Sequence, residues 1–189
     1  MRTDIVVDIE TLGTKSDSPI IQIGAIFFDI KTAEVINTFD YVVDIENTMI
    51  DVSGSTLRWW LNEDHNLFKD IILNSKNKGC RPIYEILNFL RQDIMSFKEL
   101  GDVYLWGHGI LFDNNIIRTA MEKVGIEYPI DYNKDRDVRT ILELACLKED
   151  VTENEFRNKH SVVGVKHDAI NDCMNEMKWI CEAYNILMN

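Results

Sequence analysis

The stretch Ile5-Val6-Val7-Asp8-Ile9-Glu10-Thr11 constrains this chain more than any other: an apolar run that carries two acids separated by one residue. In an extended strand, residues two apart share a face. Asp8 and Glu10 therefore project side by side, while Val7 and Ile9 turn to the opposite face. Two carboxylates held this close repel unless a cation sits between them or one keeps its proton. Taken alone, the segment also fits a strand with one polar face. The rest of the chain argues for more, because matching acids recur at two distant points.

At 189 residues, with 46% hydrophobic and 28% charged residues, the chain suits one domain with a substantial core. No apolar run approaches the length needed to cross a bilayer, so no membrane association is expected. Met1-Arg2-Thr3-Asp4 leads into the acidic strand without a signal-peptide pattern. Cys80, Cys146, Cys173 and Cys181 show no Cys-x-x-Cys spacing, which speaks against a zinc knuckle or disulfide framework and for reduced thiols in a cytoplasmic protein. The formal charge of -12 excludes tight, extended duplex binding of the kind a basic footprint supports. It leaves room for catalysis on a nucleic-acid end, where few phosphates are held and bound divalent ions return positive charge.

Along the chain, Ile20 to Asp29 and Glu34 to Asp44 read as strands joined by a turn at Asp29-Ile30-Lys31-Thr32, completing an antiparallel meander. Gly24 marks a bulge or a close approach. Ser55 or Thr56 is placed to cap a short helix through Trp59 and Trp60. Neighbours on a helix diverge by about 100°, so one indole packs and the other is available to lie along a groove where a base can stack. A second short helix runs from Leu67 to Leu73, and a long amphipathic one begins at Pro82. Val103 to Trp106 reads as a buried strand broken by Gly107-His108-Gly109, with Asp113 opening the next helix. Glu127 to Asp135 is a turn-rich connector, Asp137 opens another helix, and Lys148 to Lys159 is a solvated loop or short helix. His167 to Tyr184 forms the closing helix, with Cys173 and Met177 on its apolar side. His167 and Asp172 would lie roughly 140° apart if both were helical, which places His167 at the helix entrance or in the loop before it.

This order predicts an α/β fold with a mixed central sheet flanked by helices, the fourth strand returning beside the first. Asp8 and Glu10 then face Asp113 and the last helix.

Asp8-Ile9-Glu10-Thr11, Gly107-His108-Gly109-Ile110-Leu111-Phe112-Asp113 and His167-Asp168-Ala169-Ile170-Asn171-Asp172 resemble, in order, the three exonuclease motifs of the DEDDh 3′-5′ exonucleases. Ser55-Thr56-Leu57-Arg58-Trp59-Trp60 and Asp137-Val138-Arg139-Thr140 further resemble the exonuclease VIII-like, small single-domain exoribonuclease branch. Many relatives carry Asn where His108 stands. The resemblance implies a ribonuclease-H-like fold with a five-stranded sheet, and a single exonuclease domain over 1–189. It implies that Asp8, Glu10, Asp113 and Asp172 coordinate two divalent cations, Mg²⁺ or Mn²⁺, and that His167 is the general base toward water. Such a pair of ions, about 4 Å apart, positions the nucleophile and stabilises the leaving oxygen. Oxygen ligands suit these ions, and an imidazole has the intrinsic pKa for the base.

The implied substrate is a single-stranded nucleic acid or short oligonucleotide with a free 3′ end, RNA or DNA, released as nucleoside 5′-monophosphates. Thr11, Leu12, His108, Phe112, Trp60 and Arg139 are the expected substrate contacts, with Leu12 wedging against a base. His108 either bonds locally or touches substrate, and Arg139 either meets a phosphate or pairs with Asp137. Asp168 is expected to cap the last helix, and His65 and His160 to lie on the surface. Relatives are often dimers, and a homodimer would let an acidic chain borrow basic residues from its partner. Two other classes fit the same residues: a non-catalytic nucleic-acid scaffold, and a metal-dependent phosphodiesterase on small nucleotides.

Overall fold

Strand β1, Arg2–Thr11, organises the sheet, with β2 (Ile20–Phe28) antiparallel on one side and β4 (Asp102–Gly107) parallel on the other. In the computed structural model, residues 1–47, 51–63, 65–75, 79–162 and 167–189 are described. Strand β3 (Val35–Val42) pairs antiparallel with β2, and β5 (Asp135–Asp137) pairs parallel with β4. The five-stranded order is β3-β2-β1-β4-β5, the mixed sheet that the sequence predicts.

The helices are α1 (Gly54–Glu63), α2 (His65–Asn74), α3 (Ile83–Lys98), α4 (Asp113–Lys123), α5 (Val138–Glu149), α6 (Glu153–His160) and α7 (Ala169–Met188). Ser53, rather than Ser55 or Thr56, caps α1: its Oγ accepts from the Thr56 N–H at 3.4 Å. The polar stretch after Lys148 forms α6, closed at its start by a reciprocal Thr152–Glu155 capping box. Among the described residues, no helix is long and apolar enough to cross a membrane.

Alternation along β1 divides the core. Ile5, Val7 and Ile9 pack with Ile86, Leu90, Ile116 and Met121 of α3 and α4. Val6 goes to the other layer, with Leu142 of α5 and Cys173, Met177 and Ile180 of α7. Each fully buried aliphatic side chain contributes about 1.5–3 kcal/mol, so the strand is held from both faces. The four cysteines carry free thiols.

Arg2, Asp4, Val6, Asp8 and Glu10 share the face toward α7. At its start the strand buries Asp4 completely, and pairs it with Arg2 at 2.7 and 2.8 Å and the Trp106 indole at 2.8 Å. That acid is satisfied by built-in partners. The acids at the other end are not.

Gly24 of β2 marks a close approach. A Cβ there would stand 2.6 Å from the Ala169 carbonyl carbon and 2.8 Å from the Ile170 nitrogen. The first turn of α7 therefore rests directly on β2, and Gly24 lies opposite Asp8 in the β1–β2 register. This seating brings the acids of α7 over those of β1.

Candidate active site

Asp8, Glu10, Asp113, Asp172 and His167 line one cleft at the C-terminal ends of β1 and β4. Asp113 enters from the first turn of α4, where the buried strand ends at Gly107. Asp172 enters from the first turn of α7. Asp168 caps that helix through the Asn171 N–H, as the sequence predicts.

His167 stands just before α7 with φ 64, a left-handed conformation that costs a non-glycine residue about 1–3 kcal/mol. Its backbone N–H donates to Asp172 Oδ2 at 2.9 Å, which holds the strained residue in place. The ring lies edge-on to Trp59 with centroids 5.1 Å apart. Nε2 is buried without a hydrogen bond, 3.6 Å from Glu63 Oε1. Glu10, His167 and Asp172 each offer a ligand atom within 4.8 Å of the others.

Glu10 and Asp113 are buried, and no lysine or arginine pairs with Asp8, Glu10 or Asp113 among the described residues. The electrostatics follow. Burial, then the charges of Asp113, Glu176, Glu10 and Asp172, hold Asp8 well above the usual carboxylate range. Burial, then Asp172, Asp113 and Asp168, push Glu10 up to about 9. Asp113 rises to about 7 through burial and Glu176, with its own N–H and that of Ile9 acting the other way. A core of hard oxygen donors that repel one another fits divalent cations, whose charge reverses the repulsion.

The sequence does not point to Glu176, yet it is in the same cleft and 3% exposed. Its Oε1 meets His108 Nδ1 at 2.8 Å, and Arg157 Nη2 meets His108 Nε2 at 2.7 Å. A guanidinium can only donate, so Nε2 accepts and the ring proton is on Nδ1, donating to Glu176. Burial and then Arg157 and Arg139 lower His108 to about 4, which makes this a hydrogen bond from a neutral ring rather than an ion pair. Both His108 nitrogens are thus engaged locally. The signal available in the sequence was spacing: Glu176 follows Asp172 by four residues, one turn along the same helical face.

Other expected substrate contacts divide. Phe112 borders both the acid cleft and an adjoining cleft of about 500 Å³ that also includes Thr11, Thr14, Trp59 and an edge of Trp60. Arg139 borders the acid cleft beside Gly109, while Asp137 accepts from the Thr140 and Ile110 N–H groups instead. Trp60 is a correction. It is 1% exposed, stacks on Phe68 and donates its indole N–H to the Thr11 carbonyl at 3.0 Å. Trp59, 43% exposed, presents the available face. Leu12 is a second correction: it is buried with Ile21, Trp60 and Ile71 rather than presented to a base. At the end of β1 the register with β2 shifts, Glu10 facing Gln22 and Thr11 facing Ile20 with Ile21 passed over, and both Thr11 and Leu12 are buried. Thr11 Oγ1 donates to the Gly13 carbonyl at 2.7 Å. His65 is exposed as expected, whereas His160 is half-buried against the Phe156 ring.

Comparison with known proteins places this geometry. The family model for the 3′-5′ exoribonuclease Rv2179c-like domain matches residues 3–184. An exodeoxyribonuclease of Enterobacteria phage T4 is 25% identical over 202 residues, covering 92% of this chain and 86% of the relative. The nuclease domain of 3′hExo, a DEDDh family member solved bound to rAMP, superposes with a TM-score of 0.66 at 16% identity, covering 97% of this chain and 92% of that one. Cell-death related nuclease 4 (CRN-4) gives 0.70 at 15% identity, covering 97% of this chain and 64% of its own. These two structures share the fold.

Proposed function

The chain belongs to the 3′-5′ exoribonuclease Rv2179c-like domain family, and from that premise we propose that it works as a DEDDh-type 3′-5′ exonuclease: it shortens single-stranded nucleic acid from the 3′ end to nucleoside 5′-monophosphates, with two divalent cations held by Asp8, Glu10, Asp113 and Asp172. The observation that carries this reading is the convergence of these acids from β1, α4 and α7 with no basic residue paired to Asp8, Glu10 or Asp113 among the described residues. Once bound, the cations supply charge neutralisation at the phosphate and a more acidic attacking water.

The protein's own groups supply the rest. The cleft between Trp59 and Phe112 takes the terminal base by stacking, with its sugar toward Thr11 and Thr14. Arg139 and Arg157, on the wall of the acid cleft, face the phosphodiester. His167 takes a proton from water at Nε2, which is buried and has no other hydrogen-bond partner. Glu63 Oε1 stands 3.6 Å from that nitrogen. The proton then passes to solvent or to the leaving 3′ oxygen.

The substrate is RNA, DNA or both in this reading: the matching family is one of exoribonucleases and the phage relative is an exodeoxyribonuclease. The test is a time course on 3′- and 5′-labelled single strands of each sugar, with Mg²⁺, Mn²⁺ or EDTA. A ladder shortening from the 3′ end only with metal is the expected result. Absence of shortening with either ion, or hydrolysis confined to free nucleotides, would refute it.

A further inference from the structure

Glu176 has one oxygen accounted for and one not. Oε1 accepts from His108, whose ring is in turn fixed by Arg157. Arg157 itself is anchored by Glu153 and lies over the Trp179 ring at 4.6 Å. Oε2 is buried and has no hydrogen-bond partner. Leaving a buried carboxylate oxygen without a partner is costly, so a fold that fixes the other oxygen this firmly needs an occupant for the second.

The surroundings define that occupant. Glu176 shares its cleft with Asp8, Asp113 and Asp172, and Asp172 is one turn earlier on the same face of α7. Among the described residues no donor reaches Oε2: Arg157 Nε and the Trp179 indole N–H of the same cleft are buried without partners of their own, while the other acids of the site line the same space. We propose that Glu176 is a fifth carboxylate of the metal centre, offering Oε2 to a divalent cation on the Asp8–Asp113 side, directly or through one water ligand. His108 and Arg157 are then positioning residues, because they aim the second oxygen by holding the first. The inference rests on the two-cation reading above and adds a residue to it.

The test is Mn²⁺ binding to the full chain, followed by the paramagnetic resonance signal of free Mn²⁺, for the wild type, Glu176→Gln and Glu176→Asp. Gln preserves the acceptor that His108 needs and removes the charge. Asp preserves the charge and withdraws the oxygen by one methylene. The expectation is two ions on the wild type, with one of them weakened by about tenfold or more in each variant. Wild-type binding in both variants would make Glu176 purely structural and overturn the proposal. Weakening in Glu176→Gln with wild-type binding in Glu176→Asp would show that only the net charge matters, and would also overturn it. A wild type that binds no Mn²⁺ would instead remove the two-cation reading, and this inference with it. Thermal melting in EDTA identifies any variant that fails to fold.

Discussion

The backbone N–H of His167 donates to Asp172 Oδ2 at 2.9 Å, tying the proposed general base to an acid of the proposed cation site. One carboxylate therefore holds both the left-handed backbone of His167 and a face of the cation site. Asp172→Ala should lose several kcal/mol of transition-state stabilisation, about a 10³-fold fall in kcat. Asp172→Asn should lose as much rate yet melt higher than Ala, because its amide oxygen still accepts the N–H, worth about 1 kcal/mol. Single-turnover kinetics with parallel melting curves check both, and substantial activity in either variant would sink the assignment.

His167→Asn should separate base from scaffold. Asn tolerates the left-handed region better than most residues, so the fold and Mn²⁺ affinity should stay near wild type. The rate should fall by about 10²–10⁴-fold, the range typical of a lost general base. A variant that keeps most of its turnover would assign proton removal elsewhere.

Without divalent ions, stability should fall as pH rises. Glu10 at about 9 and Asp113 at about 7 hold protons in the folded state that the unfolded chain releases near 4.5 and 3.8. Their contribution is full below those unfolded values and is lost as pH climbs through the folded ones, by up to about 1.4 kcal/mol per pH unit for each proton. Melting temperatures in EDTA should therefore decline between about pH 5 and pH 9, and saturating Mg²⁺ should reverse much of the decline. A flat or rising profile in EDTA would contradict the electrostatics of the cleft.

Trp59→Ala and Trp60→Ala should diverge. Loss of the exposed Trp59 face should reduce kcat/KM by roughly ten- to a hundredfold, the worth of one stacked base, with little change in melting. Loss of buried Trp60 should destabilise by about 3–5 kcal/mol, since it empties the packing around Leu12 and Phe68. Equal kinetic losses at equal stability would refute the division.

Gly24→Ala should act at a distance. Its methyl group would meet the Ala169 carbonyl carbon at 2.6 Å and must lift α7 from β2, at about 1–3 kcal/mol. Since α7 carries Asp172 and Glu176, Mn²⁺ affinity should fall together with stability. Unchanged binding would mean that α7 adjusts without moving its acids.

Much of this architecture was legible because it depends on periodicity. The alternation in Ile5 to Glu10 fixes which side chains share the α7 layer, and the 140° separation of His167 and Asp172 puts the histidine before the helix, where φ 64 now places it. What escaped depends on tertiary partners or weak strand propensity. Glu176 looks like one more polar residue on an amphipathic helix until His108 and Arg157 arrive from 68 and 19 positions away in the chain. Trp59 and Trp60 are equivalent by helical angle, and only the cluster around Leu12 and Phe68 distinguishes them. The expectation for Leu12 failed because Ile21, Trp60 and Ile71, from three separate elements, close over it in a small cluster of their own. The element order predicts a short fifth strand but not its residues, because Asp-Arg-Asp has little strand propensity and pairs over only three residues.

The seating of α7 on Gly24 also makes the site a judge of how the chain folded. A one-residue slip between β1 and β2 would bring Ile23 or Ala25 beneath the Ala169 carbonyl, and a side chain there would prevent the helix from docking. Molecules with a misaligned hairpin would thus never gather the acids of α7 over those of β1. Hydrolytic activity is reserved for correctly folded copies, and a misfolded nuclease is a harmless one.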